Sequence, residues 1–186
     1  MSLTVICGCM YAGKTETLLS YASKYKAIGK KIININYEAD KRYSNTQTVS
    51  HSGKAMDAIF CNELKNIKKK KHRQNYDESE VILINEGQFF KDLYEFCLQS
   101  VEIDNKRVIV CGLDLDYQRK PFENMTKILL LADDKIFLKD YCSECGKKGV
   151  IRKALFTKRL STSDERILIG GSESYIPVCR EHYLFE

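Results

Sequence analysis

No stretch of about 18 apolar residues occurs in the 186-residue chain, which excludes a membrane-spanning helix. Met1 leads straight into a short β-branched run, so no secretory leader is expected. Net positive charge is lacking outside one place. Residues 65 to 73 (KNIKKKKHR) hold six cations and no acid, and without them the net charge of +5 becomes −1. That run has no aromatic residues interleaved, so it is read as a solvated helix end or loop, and no nucleic-acid partner is expected. Disulfide chemistry is not expected either. Of the eight cysteines, Cys7, Cys9, Cys61, Cys97 and Cys111 lie in or beside apolar segments and read as small buried thiols of a cytoplasmic chain. The length fits one domain, or one core with a small appendage.

What the chain does contain begins at once. Residues 8 to 15 (GCMYAGKT) match G-x-x-x-x-G-K-[ST], the phosphate-binding loop. Before them, residues 3 to 7 (LTVIC) have the composition of a buried strand. After them, Leu18, Ala22 and Tyr25 recur with the period of an amphipathic helix that ends near Gly29. Gly8 and Gly13 let backbone N–H groups approach phosphate oxygens without a Cβ in the way. The helix N-terminus adds partial positive charge. Cys9, Met10, Tyr11 and Ala12 complete the loop; Lys14 can reach the β- and γ-phosphates, and the Thr15 hydroxyl can ligand Mg²⁺. Strand, loop and helix in this order predict a nucleoside triphosphate site.

Further strands are expected at residues 31 to 36, 81 to 84, 107 to 111 and 135 to 139. Helices are expected through Leu93, Phe96, Cys97 and Val101, and through Met125, Ile128, Leu129 and Ala132. Residues 37 to 52, which include Asp40, Arg42, Asn45 and His51, have loop composition. Residues 56 to 64 fit helix and strand equally. Alternating strands and helices predict a mainly parallel, RecA-like sheet covered by helices, with ligands at the carboxyl ends of the strands. Glu86 ends the run at 81 to 84, where phosphate-loop proteins carry an acidic residue near Mg²⁺ and the γ-phosphate.

Character changes after Tyr141. Cys142-x-x-Cys145 is followed, 34 residues after Cys145, by Cys179-x-x-His182. Two close pairs supply four ligands for tetrahedral Zn²⁺; a redox Cys-x-x-Cys would have no use for the distant pair. With no ligand position to spare, the metal is structural, and it tethers a loop containing Gly170 and Gly171.

Together these residues resemble the type II thymidine kinases, the zinc-bearing tetrameric kind of animals, bacteria and large DNA viruses. The resemblance covers nearly the full length. It rests on Gly8-x-Met10-x-x-Gly13-Lys14-Thr15, Asp40-x-Arg42, residues 86 to 90 (EGQFF), Leu113-Asp114 with residues 118 to 122 (QRKPF), 157 to 160 (TKRL), Ile169-Gly170-Gly171 with Tyr175, and the two metal pairs. It implies a phosphate-loop domain at 1–140 and a small zinc-binding ribbon or lasso domain at 141–186. It implies transfer of the γ-phosphoryl group of ATP to the 5′-hydroxyl of thymidine, and of deoxyuridine, with Mg²⁺ and structural Zn²⁺. Glu86 would be the general base. The phosphate-loop residues, Asp40, Arg42, Asn85 and Gln88 would serve ATP. Met10, Phe89, Leu113, Tyr117, Thr157 and Tyr175 would line the nucleoside site, and main-chain groups of Arg166, Ile167, Leu168, Ile169 and Gly170 would meet the thymine edge. A homotetramer, and dTTP as feedback inhibitor, follow from the same resemblance. Three positions depart from the family pattern: Asn85 for Asp, Cys9 for Pro, and His182 where many relatives have Cys. The departure at Asn85 keeps a catalytically weakened nucleoside-binding paralogue in view as an alternative. A zinc-ribbon ATPase on nucleic acid is the other.

Overall fold

The computed structural model describes residues 1–40, 44, 46–69, 71–162, 165–168 and 170–185. Its elements run β1 (Ser2–Gly8), α1 (Lys14–Ala27), β2 (Ile32–Tyr37), β3 (Gln47–Val49), β4 (Ala55–Asp57), β5 (Ile59–Cys61), α2 (Arg73–Glu78), β6 (Val81–Ile84), α3 (Leu93–Leu98), β7 (Arg107–Gly112), α4 (Glu123–Leu131), β8 (Asp134–Leu138), α5 (Ser143–Lys147), β9 (Phe156–Arg159), β10 (Tyr175–Val178) and α6 (Arg180–Leu184).

Six strands form one sheet in the order β5-β2-β6-β7-β1-β8, and every pairing in it is parallel. The side chains divide by the two-residue period of a strand. Leu3, Val5, Cys7, Ile33, Ile35, Ile82, Ile84, Val108 and Val110 face one side, where Phe96, Met125 and Ile128 of α3 and α4 pack on them. Ile6, Leu83, Ile109 and Cys111 face the other side and meet Leu18 and Ala22 of α1. The central strands β1, β6 and β7 are buried on both faces, which is why they read as continuous apolar runs. Because all six run the same way, Gly8, Tyr37, Ile84 and Gly112 reach one edge together.

The segments that were ambiguous in sequence resolve through one polar side chain. Asn34, 3% exposed on β2, donates through Nδ2 to Thr48 Oγ1 (3.0 Å), the Asp57 carbonyl (3.2 Å) and the Met56 carbonyl (3.4 Å). It thereby pins the β3–β4 hairpin, which has the composition of a plain loop, onto the sheet. The stretch 56 to 64 is neither one helix nor one strand: it finishes β4, forms β5 and enters a 3-10 turn at Leu64–Lys68. The basic run is partly structural. Leu64 and Ile67 are fully buried, and Lys68 Nζ pairs with Asp104 at 2.8 Å and lies 4.7 Å from the Tyr76 ring. Among the described residues no helix is long and apolar enough to cross a membrane.

Candidate active site

The phosphate loop leaves β1 through a glycine that nothing else could replace. Gly8 sits at φ 152°, and a Cβ there would stand 2.3 Å from the Leu138 carbonyl oxygen. The loop continues through Tyr11 at φ 67° and Gly13 at φ 81°, and α1 starts at Lys14. Lys14 Nζ donates to the Cys9 carbonyl at 2.7 Å, so the cation lies folded against its own loop.

Behind the loop is a polar chain. The Thr15 hydroxyl donates to Asn85 Oδ1 at 3.2 Å, and Asn85 Nδ2 donates to Asn36 Oδ1 at 2.8 Å. The Cys111 thiol also donates to Asn85 Oδ1, at 3.0 Å. Burial pushes that thiol's pKa up, which keeps the donating proton in place. Asn36 donates its own amide to the Asp40 carbonyl, so its oxygen faces Asn85; that end of Asn85 is therefore NH₂, and its oxygen is left for the two donors. The hydroxyl and amide oxygens of Thr15 and Asn85, with the Asp40 carboxylate on the same cleft, are the oxygen donor set that Mg²⁺ takes alongside phosphates.

Glu86 follows immediately, at φ 54°, a left-handed conformation for a residue with a side chain. Gln88 Nε2 donates to its Oε2 at 2.6 Å, while Gln88 Oε1 accepts from the Leu113 amide at 3.0 Å. Phe89 stacks at a tilt on Tyr37, with centroids 5.2 Å apart.

The C-terminal segment comes over this edge and is fastened to it. The Met10 amide donates to Thr157 Oγ1 at 3.0 Å, and the Tyr183 hydroxyl donates to the Tyr117 carbonyl at 2.8 Å. Arg159, 9% exposed, lies 3.7 Å from the centre of the Tyr117 ring. Its guanidinium donates to the Glu165 carbonyl, to the Arg166 carbonyl at 3.3 Å and to the Tyr175 hydroxyl at 2.6 Å. Tyr175 in turn donates to the Leu168 carbonyl at 2.9 Å. The Arg166 side chain reaches back to the loop after β7, pairing with Asp116 at 2.7 Å and donating to the Pro121 carbonyl at 2.8 Å.

These elements enclose a cleft of about 1120 Å³, part of it open to solvent. Of the residues expected from sequence, Met10, Tyr11, Gly13, Lys14, Thr15, Asp40, Asn85, Glu86, Gln88, Phe89, Leu113, Tyr117, Thr157, Arg166, Ile167, Leu168, Gly170 and Tyr175 line it. Gly8, Cys9 and Ala12 shape the loop without lining the cleft. Arg42 and Ile169 lie outside the described residues. Sequence reasoning gave no role to Glu16, Val49, His51, Asp116 or Phe122, which also line it. It also gave none to Arg159, which is buried behind it. His51 comes in on the β3–β4 hairpin and meets Tyr11 edge-on at 5.9 Å, while Ser52 and Lys54 of the same turn hold Glu16. For Arg159 a signal existed: a cation inside an otherwise recognisable TKRL motif.

The metal pairs converge as well. Ligand atoms of Cys142, Cys145, Cys179 and His182 all lie within 4.8 Å of one another. His182 Nδ1 is 3.5, 3.4 and 3.4 Å from the three sulfurs in chain order, and Cys145 and Cys179 sulfurs are 3.9 Å apart. A tetrahedron with bonds of about 2.3 Å to sulfur and 2.0–2.1 Å to nitrogen has edges of roughly 3.6–3.8 Å, so the donors fit Zn²⁺. Arg152 donates to the Cys179 sulfur at 4.0 Å, and its positive charge there favours the thiolate.

A family model described as thymidine kinase matches residues 1–183. A thymidine kinase of Oryza sativa subsp. japonica is 39% identical over 181 residues, covering 97% of this chain and 65% of that protein. Thymidine kinase a of Arabidopsis thaliana is 37% identical over 180 residues, covering 97% of this chain and 74% of that protein. The chain therefore spans about two thirds of the length of the rice protein. Among solved structures, domain III of the Thermotoga maritima replication initiation protein DnaA aligns with a TM-score of 0.45 and 15% identity, over 79% of this chain and 58% of that one. Likeness at that level carries nothing about function.

Proposed function

Since the chain belongs to the thymidine kinase family, we propose that it transfers the γ-phosphoryl group of ATP to the 5′-hydroxyl of thymidine, giving dTMP and ADP. The observation that carries this reading is the Glu86 carboxylate and the phosphate loop lining one cleft, beneath a segment fastened at Thr157 and Arg166. Glu86 takes the proton of the 5′-hydroxyl as the O5′–Pγ bond forms and the bond from Pγ to the departing ADP oxygen breaks. Lys14 leaves the Cys9 carbonyl for the β- and γ-phosphates, where its charge is useful. Mg²⁺, held by Thr15 beside Asn85 and Asp40, would supply positive charge to the phosphates. The pyrimidine lies between Met10, Phe89, Leu113 and Tyr117. Its edge meets main-chain groups of Arg166, Ile167, Leu168 and Gly170, which line the cleft, and deoxyuridine fits the same contacts.

The finer assignments rest on resemblance to the zinc-bearing type II enzymes. They are a division at 140/141 into a nucleotide-binding and a zinc-binding domain, a homotetramer, feedback inhibition by dTTP, and a cytoplasmic location. Incubation with ATP, Mg²⁺ and a panel of nucleosides tests the activity directly. Thymidine and deoxyuridine are expected to yield monophosphates, with Glu86→Gln lowering kcat by about 10²–10⁴. Thymidine left untouched in every condition overturns the reading.

A further inference from the structure

One buried amide ties the catalytic carboxylate to the neighbouring strand end. Glu86 and Gln88 follow β6, while Gly112 and Leu113 end and follow the adjacent β7. Leu113 N–H donates to Gln88 Oε1 at 3.0 Å, so the other end of that amide is NH₂ and donates to Glu86 Oε2 at 2.6 Å. Gln88 is 8% exposed, and both ends of its amide are committed to protein partners. Space for the bridge comes from two glycines. A Cβ on Gly112 would lie 2.5 Å from Gln88 Oε1 and 3.2 Å from Gln88 N, and one on Gly87 would lie 2.5 Å from Val110 Cγ1. Glu86 itself holds a left-handed backbone between these contacts.

We infer that Gln88 is the positioning residue of the reaction: it sets the plane of the Glu86 carboxylate and registers it against the Leu113 loop that lines the nucleoside site. The inference rests on the reading of Glu86 as base. The hydroxyl proton goes to Glu86, and Gln88 neither gains nor loses one. A bond to a charged group is among the stronger kind, and its loss frees a carboxylate whose aim matters to within fractions of an ångström.

The test uses the full chain with ATP, Mg²⁺ and thymidine, and five variants: Gln88→Met, Gln88→Leu, Glu86→Gln, the pair Glu86→Gln with Gln88→Met, and Gly112→Ala. Gln88→Met keeps the length and loses both hydrogen bonds. It is expected to lower kcat about ten- to a hundredfold, with KM for both substrates within about twofold. On the residual rate of Glu86→Gln the same change is expected to cost nothing further, because residues acting as a unit are non-additive. Gly112→Ala, which crowds the amide from the other strand, is expected to reproduce the kcat loss. Where Gln88→Met does not fold, as judged by ATP-analogue binding, Gln88→Leu takes its place, since it too removes both hydrogen bonds and adds no charge beside Glu86. Additive losses in the double variant, or a raised thymidine KM with kcat intact, overturn the positioning role. A fully active Glu86→Gln enzyme overturns the base assignment instead.

Discussion

At the scale of single residues, the departure from the family pattern at Asn85 is a matter of one charge in a fixed polar chain. Its Oδ1 faces two donors, Thr15 and Cys111, and a carboxylate would be welcome there. Its Nδ2 faces Asn36 Oδ1 at 2.8 Å, and a carboxylate would be unwelcome there unless the Asn36 amide turned over. Asn36 in turn donates to the Asp40 carbonyl at 3.3 Å, which resists that turn. Asn85→Asp is therefore expected to lower the Mg²⁺ concentration for half-maximal turnover about fivefold, and to cost about 1–3 kcal/mol of stability through the opposed oxygens. Mg²⁺ titration of the rate and urea unfolding read the two effects. If Mg²⁺ response and turnover both stay as in the parent chain, the amide is no handicap. Asn85 could be flagged from sequence alone; its partner Asn36 could not, because only the register of β2 against β6 sets them side by side.

At the scale of elements, the strands that build the site edge were legible because burial on both faces writes them as unbroken apolar runs. The phosphate loop was legible because its glycines have no substitute. The β3–β4 hairpin was not. Its strands are three residues each, and they are held by the side chain of Asn34 rather than by their own pattern. The segment at 165–168 was legible only by resemblance, and what shapes it was not legible at all. Arg159 reaches the carbonyls of Glu165 and Arg166 directly, and that of Leu168 through Tyr175, by a planar fork that also stacks on Tyr117. Lysine keeps the charge but can neither fork nor stack in that way. Arg159→Lys is accordingly expected to raise KM for thymidine about tenfold while leaving KM for ATP within about twofold. Steady-state kinetics with each substrate varied in turn decides it, and an unchanged thymidine KM would show that the loop holds its shape without the fork.

For the whole molecule, the question is what keeps the C-terminal segment over the sheet edge. Its own means are slight. β9 and β10 pair over only four residues each, and the buried cluster there consists of Cys142, Cys145, Val178 and Cys179 with Phe156, Ile176 and Tyr183 beside it. An isolated two-stranded ribbon is marginal in water. Three of the four buried members of that cluster are candidate metal ligands, so a bound metal and the small core would be one object. The contacts back to the sheet edge are separate and small: single hydrogen bonds such as Met10 to Thr157 and Tyr183 to Tyr117, the stacking of Arg159 on Tyr117 and of Arg119 on Tyr183, and the half-exposed Arg166 on the buried Asp116 and the Pro121 carbonyl. None of these holds a segment alone, whereas a structural Zn²⁺ contributes on the order of 10–16 kcal/mol of coupled binding and folding. The six-stranded sheet, by contrast, has cores on both faces that do not touch the metal. Metal removal should therefore separate the two substrates. After a strong chelator has withdrawn about one zinc per chain, thymidine binding by calorimetry is expected to fall more than about a hundredfold. Binding of an ATP analogue is expected to fall by less than about tenfold, through loss of the Met10–Thr157 bond alone. The parallel sheet should persist in far-ultraviolet circular dichroism, and re-addition of Zn²⁺ should restore thymidine binding. A metal-free chain that still binds thymidine at full strength would mean that the contacts to Met10, Tyr117 and Asp116 suffice to hold the segment without the metal.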